Sequence, residues 1–172
     1  MKEYLIVDGY NIINSWEDLS AHALEDMDYA RFRLINYLSQ FNNLWDKLTV
    51  VFDAHLVAGG TESREIVSAV EVIFTREGER ADNLIEKITH KLKSNRNINI
   101  WVATSDQVEQ QTIFSRGALR LTPGELKRLL DTVKEDVRRN YAEDFFMLTR
   151  NPLDERIKEE VKEKLEQWRR SK

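Results

Sequence analysis

Short runs of β-branched and other apolar residues alternate along the chain with longer segments of helical periodicity, and this alternation constrains the fold most. Strand patterns occur at 4–7, 48–52, 70–75 and 98–103, and between the last two the apolar residues of 81–92 recur every three or four positions. Strands that alternate with helices form a parallel sheet covered on both faces. We therefore expect an α/β fold of three layers, with a central parallel sheet of four or more strands flanked by helices.

Further segments predict where other helices and loops lie. Residues 28–45 have helical spacing, and 55–68, with two adjacent glycines, is expected to be a mobile loop. A long helix should begin with Thr122 as N-cap and Glu125 closing a capping box. The Asn-Pro pair at 151–152 should interrupt that helix. We expect one domain over 1–150 and a C-terminal helix over 151–172 packed on the same domain.

Composition excludes several classes of protein. The 172 residues include no cysteine, so a disulfide framework, a thiolate zinc site and a cysteine nucleophile are all excluded. No apolar run is long enough for a signal peptide or a membrane span. We expect a monomer in the cytoplasm with no membrane partner. The net charge of -4 also argues against a strongly basic nucleic-acid binder.

Aspartates follow three of the four predicted strands. Asp8 and Asp53 come directly after their strands, Asp106 lies three residues after another, and Asp82 opens the helix after the third. Ligands of open parallel sheets bind outside the carboxyl ends of the strands. Each aspartate alone is typical of a helix N-cap or a turn. Together they would repel one another unless a cation neutralised them, and hard oxygen ligands suit Mg²⁺ or Mn²⁺.

The residues around these aspartates carry a family resemblance. The motifs are DGYN at 8–11, FDA at 52–54, ADNLIE at 81–86 and ATSD at 103–106. In this order and spacing they resemble the YacP-type NYN domain, a group of PIN-like nucleases, and most closely its bacterial ribosome-associated endoribonucleases. The similarity extends to about residue 130. The resemblance implies a PIN-like sheet, dependence on a divalent metal, and hydrolysis of single-stranded RNA, with mRNA on the ribosome as the expected substrate.

The resemblance also implies roles for individual residues. It makes Asp8, Asp82 and Asp106 the catalytic carboxylates that hold Mg²⁺ or Mn²⁺, which activates water. Asn11 joins them as a catalytic residue and Asp53 as a metal ligand, both as weaker members of the site. Asn11 has an alternative interpretation as a turn former after a strand.

Contacts to RNA are expected from Ser105, Arg116 and Arg120, which follow or belong to the last motif. A serine here is also a common helix cap, and arginines are most often solvated surface residues. Because RNA affinity depends largely on neutralised phosphates, an acidic protein needs help in holding its substrate. A partner that presents the RNA, such as the ribosome, would supply that help.

Other classes of protein fit the sequence less well than the nuclease. A haloacid dehalogenase-type phosphatase needs a second aspartate two residues after the first, and position 10 is Tyr. A nucleotide-binding domain needs a glycine-rich turn, and residues 8–11 contain one glycine. Two alternatives stay open: a catalytically inactive PIN-like module that binds RNA or the ribosome, and a toxin-type PIN ribonuclease.

Overall fold

The computed structural model of the chain describes residues 2–54, 60–95, 97–106 and 117–149, the last with side chains to Tyr141. The chain divides into two compact units, Met1–Leu129 and Leu130–Lys172. The first unit contains the sheet and all of the described candidate site residues. The expected helix at 151–172 lies outside the described residues.

Six strands form a single sheet in the part of the chain that is described, in the order β3-β4-β2-β1-β5-β6. Neighbouring strands are parallel except at one edge, where β3 runs antiparallel to β4. The strands are β1 (Lys2–Asp8), β2 (Lys47–Phe52), β3 (Ser63–Val67), β4 (Val70–Phe74), β5 (Ile98–Ala103) and β6 (Leu119–Leu121). The α/β fold with a central, mostly parallel sheet flanked by helices is thereby confirmed.

Five α-helices are described: α1 (Gly9–Ser15), α2 (Glu17–Glu25), α3 (Met27–Ser39), α4 (Ala81–Lys93) and α5 (Pro123–Thr149). None of these described helices is long and apolar enough to cross a membrane. The helix expected over 28–45 ends at Ser39, and a 3-10 turn at Asn42–Leu44 follows it. The predicted start of α5 is confirmed: Glu125 accepts a hydrogen bond from the backbone of Thr122, whose hydroxyl accepts one from the backbone of Glu125.

The prediction of a loop over 55–68 was wrong for residues 63–67, and residues 55–59 lie outside the described part of the chain. Residues 63–67 form the edge strand β3, which turns into β4 through Ser68 and Ala69, both with positive φ. Strand β3 has a neighbour on one side only, and four of its five residues are exposed. Since exposed residues need no apolar alternation, the sequence carries little sign of this strand.

The central strands place their carboxyl ends together. Leu5, Ile6 and Val7 of β1 are fully or almost fully buried, because the strand has β2 on one side and β5 on the other. Apolar residues of α4 pack with Ile6 and with residues of β2, β4 and β5 in one core cluster. The chain segments that follow β1, β2 and β5 consequently emerge at the same edge of the sheet.

Candidate active site

Asp8 is the last residue of β1 and the N-cap of α1. Its Oδ1 accepts a hydrogen bond of 3.2 Å from the backbone N–H of Asn11, and its Oδ2 accepts one of 2.6 Å from the Asn11 side-chain amide. Only 6% of Asp8 is exposed. An N-cap aspartate satisfies backbone donors that the first turn of a helix leaves without partners. The helix start thus explains why the carboxylate is held in one orientation.

Asn11 links the end of β1 to the segment that follows β5. Its Nδ2 also donates to Thr104 Oγ1 at 3.3 Å, and its Oδ1 accepts a hydrogen bond of 2.6 Å from Ser105 Oγ. Thr104 Oγ1 accepts a further bond of 3.1 Å from the backbone N–H of Asp106. This network brings the predicted residues Asn11 and Ser105 together with Asp8. The backbone N–H of Asp106 joins the same network through Thr104.

Asp53 connects the end of β2 to the start of α4. Its Oδ1 accepts a short hydrogen bond from the backbone N–H of Ala81, the first residue of that helix. The residue before the helix, Arg80, makes no side-chain cap, so Asp53 takes the capping role from a distant strand. Asp82 follows immediately, with Oδ1 accepting from the backbone N–H of Asn83 at 2.7 Å and Oδ2 lying 3.4 Å from Arg80.

The pKa of Asp8 reflects both its burial and the neighbouring negative charges. Burial is the main reason that the pKa of Asp8 rises from 3.8 to about 6, and the negative charges of Asp53 and Asp82 raise it further. The two hydrogen bonds from Asn11 act in the opposite direction, because they stabilise the ionised form. Asp8 is therefore affected by the charges of two further aspartates from separate segments of the chain.

The donor set is chemically suited to a hard cation, because carboxylate oxygens are the ligands that Mg²⁺ and Mn²⁺ prefer. Within the ranges that the structure describes, no three acidic or histidine side chains stand as a preformed group around a single ion. A magnesium ion commonly binds through only one or two carboxylates and keeps several of its waters. The arrangement fits that mode of binding better than an all-protein cage.

Aromatic rings pack beside the cluster. Tyr10 lies against Phe52 with ring centroids 5.1 Å apart, and Phe52 stacks on Phe74 at 5.4 Å. The buried Arg31 donates to the Tyr10 hydroxyl at 2.6 Å and forms an ion pair with Asp28. Burial raises the pKa of Tyr10, while the Arg31 charge partly offsets this. This packing fixes Tyr10, one of the two residues between Asp8 and Asn11.

Two of the three residues that are expected to contact RNA lie in the described part of the chain. Ser105 is exposed and belongs to the Asn11 network. Arg120 lies on β6. Hydrogen bonds from Thr122 are the main reason that the pKa of Glu125 is lowered, and the charge of Arg120 lowers it further. Arg116 lies outside the described residues.

Two site residues, Thr104 and Arg31, were not assigned a role from the sequence. Thr104 is a fully buried polar residue at a strand end, and a hydroxyl between an apolar strand and the Ser-Asp pair is the signal that could have identified it. Arg31 had no such signal, because a basic residue within an amphipathic helix is ordinarily assigned to the solvent face.

Comparisons with known proteins agree with this architecture. The family described as "YacP-like NYN domain" matches residues 5–170. The uncharacterized protein YacP of Bacillus subtilis (strain 168) is 39% identical over 173 residues, which cover 98% of this chain and 97% of that protein. A crystal structure of Rae1 (YacP) from Bacillus subtilis is similar with a TM-score of 0.69 and 38% identity, covering 97% of this chain and 94% of that one. A tryptophan-to-leucine variant of the same protein gives a TM-score of 0.71 with 37% identity, over 83% and 84% of the two chains.

Proposed function

Because the chain belongs to the YacP-like NYN domain family, we propose that it is a metal-dependent endoribonuclease that hydrolyses phosphodiester bonds of single-stranded RNA. Membership of this family indicates a nuclease-type domain. The choice of RNA, the metal dependence and the assignment of individual residues are parts of the proposal.

One observation supports the proposal: the Asp53 carboxylate accepts a hydrogen bond from Ala81, the neighbour of Asp82, and the charges of both aspartates help to raise the pKa of the buried Asp8. Carboxylates that lie near one another raise each other's pKa and repel phosphate. A protein that only bound RNA would gain affinity by losing them. A hydrolase that uses a divalent cation needs them.

The proposed ligands of Mg²⁺ or Mn²⁺ are Asp8, Asp82 and Asp106, with Asp53 as a further member. When bound, such a cation lowers the pKa of a coordinated water and stabilises charge on the phosphodiester. A carboxylate oxygen accommodates more than one partner, so Asn11 fixes the orientation of Asp8 without using up its capacity to bind a cation. Asn11 therefore acts by positioning Asp8 and, through the same amide, Ser105.

Substrate contacts are proposed for Ser105, Arg120 and Arg116. The net charge of -4 opposes the approach of a polyanion, so we propose that the ribosome presents mRNA to the protein and supplies the local concentration of RNA. An exposed basic pair, Arg138 and Arg139 of α5, is available for contact with ribosomal RNA. The supporting observation is the contrast between an acidic total charge and this basic pair.

The test is cleavage of a labelled single-stranded RNA by the purified protein with Mg²⁺ or Mn²⁺, compared with EDTA. We expect the Asp82→Asn variant to lose at least about 100-fold in kcat, as enzymes do when one group that stabilises the transition-state charge is removed. Asp136→Asn is the matched control, because it removes one exposed carboxylate outside the cluster. RNA binding without cleavage would favour the inactive module instead. Growth arrest on expression, relieved by a neighbouring gene product, would favour the toxin.

A further inference from the structure

A cavity of about 540 Å³ opens next to the Asn11 network. Its lining includes Ser15, Trp16, Ser105, Pro123 and Lys127. The volume lies within the range of about 300–1,000 Å³ that is usual for ligand sites. Ser105 belongs both to this cavity and to the hydrogen-bond network of Asp8, so a polymer bound across the carboxylates would continue into it.

The walls of the cavity are fixed by a buried hydrogen bond. Trp16 Nε1 donates to the carbonyl oxygen of Pro123 at 2.9 Å, and Trp16 is only 5% exposed. This bond attaches the start of α5 to the junction of α1 and α2. At the start of the helix the carboxylate of Glu125 accepts two hydrogen bonds from Thr122, so a negative charge already lies there and disfavours a second anion.

Lys127 is the basic residue among the described residues that line this cavity. Its Nζ lies 5.8 Å from the centre of the Trp16 ring and 3.9 Å from Asp18 Oδ2. The Asp18 side chain is 78% exposed, and an exposed ion pair of this length contributes about 0–1 kcal/mol. Glu17 also lines the cavity and disfavours an anion on its own side. A phosphate group would therefore bind at Lys127 and displace a weak partner.

Both serine hydroxyls in the described lining of the cavity act as hydrogen-bond donors. Ser15 Oγ donates to the carbonyl oxygen of Asn11 at 2.6 Å, and Ser105 Oγ donates to Asn11 Oδ1 at 2.6 Å. A hydroxyl whose proton is used in this way presents its lone pairs to a ligand. A ligand that pairs with these oxygens must therefore donate a hydrogen bond, as the ribose 2′-hydroxyl does.

We propose that this cavity is a ribonucleotide subsite, in which Lys127 binds a phosphate flanking the cut bond and the serine oxygens accept a hydrogen bond from a ribose 2′-hydroxyl. The proposal rests on the proposed ribonuclease function and adds a recognition site to it. It gives the protein a means of preferring RNA to DNA close to the carboxylates.

The test uses two variants of the full chain and one control. Lys127→Met keeps an unbranched side chain over Trp16 and removes the charge, while Lys127→Ala removes both. Arg128→Ala removes one positive charge from the adjacent helix position, which does not belong to the cavity lining. Thermal unfolding of all three variants checks that they fold.

For Lys127→Met we expect a rise in KM of about tenfold, since a hydrogen bond to a charged group contributes at least this factor. The salt dependence of log KM should fall by about one unit of slope. The kcat should stay unchanged, because the contact is equally strong in the ground and transition states. Arg128→Ala should stay close to the wild type.

A second measurement locates the contact on the substrate. Two series of RNA oligonucleotides carry one modification that is moved along the strand: a methylphosphonate in the first series and a 2′-deoxynucleotide in the second. In each series we expect KM to rise at one position. At the phosphate position the penalty should vanish in Lys127→Met. The subsite is overturned if either penalty is missing in the wild type, or if Lys127→Met resembles Arg128→Ala.

Failure of the ribonuclease function itself would show as no cleavage by the wild type. The same oligonucleotides are then measured by equilibrium binding, with Kd replacing KM. A Kd that is unchanged in Lys127→Met, or no binding by the wild type, overturns the subsite independently of catalysis.

Discussion

The side-chain amide of Asn11 donates a hydrogen bond of 2.6 Å to the carboxylate of Asp8. The same amide accepts the hydroxyl proton of Ser105 through its oxygen. The two ends of one amide group thus have fixed and opposite roles, which neither a carboxylate nor an apolar residue can reproduce.

Replacement of this amide by a carboxylate tests its role. In Asn11→Asp a negative oxygen replaces the donor that faces Asp8, so the pKa of Asp8 should rise above 6 and the metal-free protein should lose about 1–3 kcal/mol of stability near pH 7. Titration of the Asp8 carboxyl carbon by NMR and urea unfolding measure the two effects. Asn42→Asp, at an exposed position, is the control. A pKa of Asp8 that is no higher in Asn11→Asp than in the wild type would contradict the proposed positioning.

The buried carboxyl of Asp8 predicts a pH dependence of stability. An aspartate in the unfolded chain has a pKa of 3.8, and folding raises the pKa of Asp8 to about 6, so between these values the folded state binds more protons than the unfolded state. The stability that protonated Asp8 contributes is then fully present below pH 3.8 and lost as the pH rises through 6. The loss amounts to at most about 3 kcal/mol.

The Asp8→Asn variant isolates this contribution, because asparagine is also a good N-cap and does not ionise. In EDTA, the stability of Asp8→Asn relative to the wild type should increase between about pH 4 and pH 8, as measured by urea unfolding. The matched control is Asp26→Asn, which changes the exposed N-cap of α3 and should show no comparable trend. A constant difference between wild type and Asp8→Asn across this range would exclude a raised pKa.

The sequence predicts the strands and helices in which burial produces a clear apolar pattern, and it misses others for separate reasons. Strand β2 and helix α4 are recognisable in the sequence because burial imposes apolar periodicity on them. Residues 9–15 escaped notice because glycine, asparagine and isoleucine are weak helix formers. In this helix the N-cap from Asp8 and the burial of Ile12 and Ile13 outweigh the low intrinsic helix propensity.

Strand β3 and its turn could not be predicted for a different reason. The strand is exposed, and the turn at Ser68 and Ala69 has positive φ without glycine or asparagine, so the usual turn signals are absent. For the site, strand ends predicted Asp8 and Asp53 directly. The hydrogen bond from Ala81 to Asp53 joins two segments that are distant in the sequence. No local sequence pattern predicts such a contact.

The close packing of Gly9 gives a prediction about stability. A Cβ atom at Gly9 would clash with the Phe52 ring, which is itself held between Tyr10 and Phe74. Gly9→Ala should therefore destabilise the fold by about 1–3 kcal/mol, the usual range for overpacking. Gly124→Ala is the matched control, because no described atom lies within 4 Å of its added Cβ. Equal unfolding midpoints for the two variants would show that Phe52 can move away.

The basic pair on α5 provides the test of the ribosome as partner. Arg138 and Arg139 are exposed, with Arg139 only 3.8 Å from the exposed Asp136, so little of their charge is committed within the protein. The double variant Arg138→Glu with Arg139→Glu should lose about tenfold or more in ribosome co-sedimentation, because each lost phosphate contact reduces counterion release. It should leave the affinity for Mn²⁺ unchanged.

The matched control is Arg33→Glu with Lys91→Glu, which makes the same change in net charge at exposed positions of α3 and α4. If both double variants lose co-sedimentation to the same extent, the total charge of the protein and not this surface governs the association. If the wild type does not co-sediment and cuts free RNA efficiently at physiological salt, the ribosome is not the partner, and the proposed nuclease function stands without it.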